Sequence, residues 1–345
     1  MRRPLVEVVL GSYIRPVRVS RVRMLTTVLV VALSTACGAD DSPPPAPSPT
    51  VSEPTPELIL PLTGLPATEG IPARPALVVK VDNTARSRPQ LGLSSADLVV
   101  EELVEGGLTR LAVMYHSTLP AIVAPVRSVR TTDVGIVVPT GGALVASGGA
   151  RRVLQAIGAA GITVLSSADA GLSRDRSRRA PYDVALDPTA ALAAATGLPA
   201  PAVPYLPWAP GDAPPPVGTP ATSAAVTFSG GHTTRWQLVD GAWHRVDDLA
   251  ADGDQFRAAN LLVLRVTTRD AGYRDPAGNP VPETVLEGSG QALLLAGGQV
   301  VRGSWSKASA AAPFRLVDAS GADLAVPPGR TWIELVPEAG SVQTS

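Results

Sequence analysis

From residue 221 to residue 337 the chain is a succession of short apolar runs cut apart by turn residues. AAVTFSG, TRWQLVD, AWHRVD, NLLVLRVTT, ETVLEGSG, QALLLAGG, QVVRGSWSK, FRLVD and TWIELVP follow in order. Asp240-Gly241, Gly297-Gly298 and Ser320-Gly321 stand between some of them. Such dipeptides close tight hairpins, because glycine adopts the backbone angles that the turn needs. Strand runs at this spacing predict a mostly antiparallel β domain, either a sheet or barrel-like.

The preceding stretch, about 60–197, mixes strand and helix signals. ALVVKVDN (76–83) and ADLVVEELV (96–104) are β-branched runs ended by polar residues. Glu105-Gly106-Gly107 is a turn that pairs the second run with LTRLAVMYHS (108–117) as a hairpin. GALVASGG (142–149) and ITVLSS (162–167) read as strands around an amphipathic helix, ARRVLQAIGAAG (150–161), with Gly161 as its C-cap. DPTAALAAATG (187–197) is a short helix with Asp187 as N-cap and Pro188 in its first turn. The expected fold class is therefore α+β: an N-terminal mixed α/β domain at 60–197, then a mostly antiparallel β domain at 221–337. A Pro-rich stretch at 198–220 reads as the linker between them, with Tyr205 and Trp208 as possible anchors, and 338–345 reads as a tail.

Ahead of these lies an export signal. Met24–Ala36 is a short uncharged run of apolar and small residues, preceded by Arg15, Arg18, Arg21 and Arg23. It is shorter than the ~20 apolar residues that a spanning helix needs, and it has the layout of a signal peptide over residues 1–36. The apolar patch in residues 1–14 suggests a start placed too early. Cys37, the single cysteine, ends the run, so no internal disulfide can form. Ser34-Thr35-Ala36-Cys37 resembles a lipobox, with Ser34 where Leu is usual, which makes Cys37 the expected lipidation site. Residues 37–57 are rich in Pro, Ser, Thr and Ala and read as a disordered spacer. The expected location is the outer face of the cell membrane.

Charge and motifs exclude several function classes. The net charge of −1 gives no basic field for nucleic acid. No phosphate-binding glycine loop, dinucleotide fingerprint, zinc-protease motif or paired Cys/His spacing occurs, so neither a cofactor nor a metal is expected. His116, His232 and His244 form no ligand pair by spacing and read as structural.

Polar residues concentrate between 80 and 133. Asp82, Arg88, Glu101, Glu102, Arg110, Arg127, Arg130 and Asp133 lie there, several beside glycines. "APVRSVRTTD" presents Arg127 and Arg130, and a second basic loop, "RDRSRRAPYD" (174–183), adds Arg178 and Arg179. Arginine forks bind carboxylate or phosphate two-pronged. If the loops meet, Arg88, Arg110, Arg127, Arg130, Arg178 and Arg179 form an anion site, facing Asp82, Glu101, Glu102 and Asp133 as acidic or catalytic candidates. Internal salt bridges explain the same charges equally well. Glu101 and Glu102 are neighbours on one strand, so only one can face such a cleft.

"RPALVVKVDN", "RPQLGLSSADLVVEELVEGGLTRLAVMYHS", "APVRSVRTTD", "ASGG", "RRAPYDV", "GSGQALLLAGGQVVRGSWSK" and "LAVPPGRTWIELVP" occur in the order found in the YerB-like family of bacterial lipoproteins. The resemblance covers about 60–337. It implies an exported, lipid-anchored protein of two domains, both of unknown function. Family members usually carry His-Asn after the R-x-A-P of the basic loop. Here Tyr182 and Asp183 stand in their place, so any role of that histidine is lost. The reading that follows is a membrane-anchored binding or scaffold protein for an anionic cell-wall polymer or lipid-linked phosphate. The alternative is an envelope enzyme acting on phosphate-containing or glycan substrates.

Overall fold

β-Branched runs build the middle of the molecule in the computed structural model, which describes residues 57–345. Cys37, the signal segment and the spacer through residue 56 lie outside the described residues. Strands β1 (Leu77–Asp82), β2 (Leu98–Leu103) and β3 (Thr109–Tyr115) are buried almost throughout. Strands covered on both faces are apolar in nearly every position, so a charge within them needs a specific partner. β2 and β3 form the expected hairpin through Glu105–Gly107. Gly106 and Gly107 turn it with φ of 69° and 71°, which a side chain would resist. Helix α1 (Asp133–Val137) precedes β4 (Ala143–Val145); α2 (Arg151–Ala159) then leads to β5 (Val164–Leu165). The short pair β6 (Leu172–Arg174) and β7 (Val184–Leu186) holds the second basic loop between its strands. In α3 (Pro188–Ala194) the Asp187 side chain accepts from the Thr189 and Ala190 amides, as the cap position requires.

The second half contributes β8 (Thr219–Pro220), β9 (Ser223–Ser229), β10 (His232–Val239), β11 (Ala242–Arg245) and β12 (Asn260–Val266). β13 (Thr268–Arg274) and β14 (Pro280–Thr284) form a separate hairpin. β15 (Gly288–Ala296), β16 (Gln299–Lys307), β17 (Arg315–Asp318), β18 (Thr331–Pro337) and β19 (Ser341–Thr344) follow. The fold is mostly β with a few short helices.

One large sheet runs β17-β16-β15-β12-β18-β2-β3-β1-β4-β5, and β8 pairs with β16. The two halves of the sequence share this sheet and belong to one unit. They meet where β18 lies parallel to both β12 and β2. β18, TWIELVP, is buried at every position. A strand apolar on both faces cannot rest at an edge or in a half-exposed hairpin, so it leaves the antiparallel meander and inserts centrally. β9 shows the opposite pattern, with alternate residues buried. It belongs to a four-stranded sheet, β11-β10-β9-β19, covering one face of the large sheet. The residues read as a tail thus supply the edge strand β19, whose Val342 packs on the core.

Phe228, Trp236 and Trp243 of that small sheet pack with Val81, Leu111, Phe256 and Trp332. Trp236 and Trp332 meet edge-to-face at 5.1 Å. The other face of the large sheet carries Ile136 of α1 and Val153 and Ile157 of α2. The Pro-rich stretch is tied to this face by both aromatic residues. The Tyr205 hydroxyl donates to the Ile136 carbonyl at 3.1 Å, and Trp208 Nε1 donates to the Pro61 carbonyl at 3.0 Å.

Candidate functional site

The loop after β1 is shaped by its first residues. Asp82 Oδ1 accepts from the Thr84 amide (2.8 Å) and hydroxyl (2.6 Å), and Gln90 Nε2 donates to the Asp82 carbonyl at 2.6 Å. This projects Arg86 and Arg88 into solvent. The loop between β6 and β7 is closed by Arg174, which donates to both Asp183 oxygens at 2.8 and 2.9 Å. Arg178 joins the two loops, donating to the Ser87 carbonyl at 3.2 Å and the Pro89 carbonyl at 2.5 Å. Between them lies an open cleft of about 880 Å³ lined by Arg86, Arg88, Arg178, Arg179, Asp175 and Tyr182. Its one carboxylate, Asp175, is engaged by Ser177 and by Arg178. Arg86, Arg88 and Arg179 are exposed and pair with no carboxylate among the described residues.

The remaining arginines of the sequence-derived set lie elsewhere. Arg127 Nη1 pairs with Asp82 Oδ2 at 2.5 Å, and its guanidinium stacks over Tyr182, 5.2 Å from the ring centre. The two basic loops therefore touch, but through an arginine already neutralised. Arg110 pairs with Glu105 at 3.0 Å, and Arg130 pairs with the same carboxylate. Burial and the neighbouring Arg130 charge pull the Arg110 guanidinium down to about 10. Burial opposes ionisation of Glu105, yet the Arg130 hydrogen bond and both guanidinium charges hold its carboxyl below the usual range. One layer deeper, Lys80 bridges Glu102 and Asp133, reaching Asp133 Oδ1 at 2.7 Å with all three side chains fully buried. Asp133 Oδ2 also accepts from the Arg130 amide at 2.7 Å. Asp82, Glu102, Asp133, Arg110, Arg127 and Arg130 thus form a closed ion-pair layer on one face of the sheet.

Glu101 points to the opposite face, as alternation along β2 requires. Its Oε1 accepts from Asn83 (2.8 Å), Thr109 (2.7 Å) and Thr234 (2.9 Å), and lies 2.8 Å from His232 Nε2. Glu334 of β18 stands in register beside it. Trp236 Nε1 donates to Glu334 Oε1 at 2.7 Å, while Oε2 of each glutamate has no other partner. Burial and the Glu101 charge push the Glu334 carboxyl far above its ordinary range. Burial works against Glu101 too, but the His232 hydrogen bond and surrounding donors hold it down to about 2. Glu334 therefore keeps its proton, and the two neighbouring carboxyls carry one negative charge between them.

Lys80, Glu334 and His232 are the functional candidates that sequence reasoning misses. Lys80 and Glu334 carry a signal: Lys80 interrupts the apolar run of LVVKVD ahead of its terminal Asp82, and Glu334 is the lone charge in TWIELVP. His232 carries none, because its partner Glu101 is distant in sequence. Among the described residues no cluster of three or more His, Cys, Asp or Glu could hold a metal ion, and no helix is long and apolar enough to cross a membrane.

Comparison with known proteins agrees with this architecture. Residues 62–200 match the N-terminal domain, and residues 224–333 the C-terminal domain, of the family described as protein of unknown function DUF3048. A Bacillus subtilis (strain 168) protein, YerB, described provisionally as a lipoprotein, is 45% identical over 74 residues. That stretch spans 21% of this chain and 22% of the relative. The crystal structure of YerB from Bacillus subtilis superimposes with a TM-score of 0.70 at 23% identity, over 83% of this chain and 100% of that one. The likeness to that structure establishes a common fold. With both family domains in order along one sheet, the chain belongs to the YerB-like, DUF3048 family.

Proposed function

We propose that the protein is anchored by lipid at Cys37 to the outer face of the cell membrane and binds an anionic, phosphate-bearing envelope ligand in the arginine-lined cleft. The observation carrying this reading is the set Arg86, Arg88 and Arg179, exposed around one cleft without carboxylate partners. Arginines gathered without counter-charges repel one another, and a polyanion relieves that repulsion through two-pronged hydrogen bonds. The lipoprotein description of YerB and the signal-like segment before Cys37 support the anchor. The ligand contacts fall to Arg86, Arg88 and Arg179, because Arg110, Arg127, Arg130 and Arg178 already hold Glu105, Asp82 and Asp175.

The test uses Arg88→Ala and Arg179→Ala, both exposed and outside the ion-pair layer. Binding of poly(glycerol phosphate) and of vesicles rich in anionic phospholipid should each be measured. Losing a charge-assisted hydrogen bond of about 1.5–3 kcal/mol weakens binding roughly tenfold to hundredfold. The melting temperature should stay unchanged. Preference for polymer over vesicles identifies the source of the phosphate. Wild-type protein that binds neither, or variants that bind as well as wild type, would overturn the reading.

A further inference from the structure

Arg88 borders a second cleft as well as the first. This second cleft, about 500 Å³, lies between the loop after β1 and the four-stranded sheet, with Asn83, His232, Thr234, Arg235 and Arg245 on its walls. The Arg88 guanidinium reaches across to the Asp248 carbonyl at 3.2 Å, at the boundary of the two clefts. Asn83, His232 and Thr234 each link the cleft to the fully buried Glu101, and of the three only His232 carries a ring nitrogen that can accept a proton. Its side chain is 16% exposed, against 0% for Glu101 behind it.

The protonation pattern follows from the geometry. Glu101 is ionised, and a carboxylate only accepts hydrogen bonds. His232 Nε2, 2.8 Å away, must therefore carry the hydrogen. The neutral ring then has its lone pair on Nδ1, which makes no hydrogen bond among the described residues. Asn83, Thr109 and Thr234 donate to the same Glu101 oxygen, so the carboxylate is held in place from several sides as it orients the imidazole. A carboxylate that fixes the tautomer of an imidazole, with the other ring nitrogen open to a cleft, is the arrangement of a general base. Arg88 and Arg245 supply positive charge around it, while Arg235 pairs with Asp247, the one carboxylate in the cleft lining, at 3.6 Å.

We propose that this second cleft is a hydrolytic site for phosphodiesters, with His232 as general base, Glu101 as its positioning residue and Arg88 shared with the anion cleft. The choice of substrate class rests on the anionic-ligand reading above. A water molecule passes a proton to His232 Nδ1 as its oxygen attacks phosphorus. The bond from phosphorus to the departing oxygen breaks, and the imidazolium returns the proton to that oxygen. One water is consumed; a phosphomonoester and an alcohol leave.

The experiment follows nitrophenolate release from bis(4-nitrophenyl) phosphate by the full-length protein in detergent, alongside poly(glycerol phosphate) binding. The expected result is turnover by the wild-type protein. His232→Gln places an amide donor near the position of Nε2 and so keeps the bond to Glu101 while removing the base. It should retain the wild-type melting temperature and lose about a hundredfold or more in kcat. Arg88→Ala should act mainly on KM. Binding without turnover overturns the hydrolytic inference alone; absence of both overturns it together with the anion reading. Turnover unaffected by His232→Gln also overturns it. Should that variant fail to fold, His232→Asn takes its place, and turnover kept at the wild-type rate by the folded variant rules His232 out.

Discussion

Glu101 and Glu102 are adjacent in sequence, equally buried, and lie on opposite faces of β2, yet they sit in different kinds of environment. Glu102 is enclosed with Lys80 and Asp133 in a layer where positive charge answers negative charge. Glu101 accepts from the side chains of Asn83 and Thr234 and stands in register beside a second glutamate, Glu334, and its outermost partner, His232, opens to a cleft. The first arrangement is closed and self-sufficient. The second holds a charge ready beside a group that can exchange protons with solvent. A strand that alternates faces can therefore serve structure with one residue and chemistry with the next.

The largest expected effect breaks the closed face. Lys80→Met would leave Glu102 and Asp133 buried together without their cation. Removing one partner of a buried ion pair destabilises by about 3–5 kcal/mol, which chemical denaturation would measure. A loss below about 1 kcal/mol would mean that packing, and not charge pairing, holds this face.

An intermediate effect separates the faces by pH. Above the usual carboxylate range the unfolded chain releases the Glu334 proton that the folded chain keeps, because that carboxyl is pushed far up. Stability therefore falls as pH rises, by up to about 1.4 kcal/mol per unit. Glu101, held down to about 2, has the opposite sign: its contribution is complete above the usual carboxylate range and is lost as pH falls toward 2. Glu334→Gln removes the first dependence and leaves the second. Relative to wild type the variant should gain stability as pH rises from about 5 to 8, followed by denaturation at several pH values. A difference independent of pH would show that Glu334 does not keep its proton in the folded chain.

The smallest effect probes the open face itself. Thr234→Val keeps shape and removes one of the donors to Glu101 Oε1, with Asn83 and Thr109 still in place. A loss of about 1 kcal/mol in thermal or chemical unfolding is expected. A loss as large as that from Lys80→Met would make the two faces energetically alike.

Local pattern carried most of the strand and helix assignments. The β2–β3 hairpin, α2, the Asp187 cap and the meander of the second half are legible because period, turn residues and caps act over a few residues. The position of β18 is not, since it depends on which strand edge at residues 98–102 accepts residues 331–335. The composition of TWIELVP hints that both faces are covered, but names no neighbour. In the candidate site, Arg88, Arg178 and Arg179 are readable as a basic pair of loops. The engagement of Arg110 and Arg130 with Glu105 is not readable, because charge in a sequence shows no partner. The His232–Glu101–Glu334 set joins three distant strands and is visible only once they are side by side.

β18 also sets an order of events. A chain synthesised from its N-terminus presents β2 long before β18 exists, and until then β2 and β12 each lack a neighbour along one edge. The first half cannot complete its sheet as a freestanding module; it must wait for nearly the whole polypeptide. The glutamate pair is assembled by the same docking event, since Glu334 arrives on β18. A chain cut short before residue 331 would keep every arginine of the anion cleft and both basic loops, and would still expose two unsatisfied strand edges. For such a product, a protease or chaperone that binds unpaired strand edges has something definite to recognise.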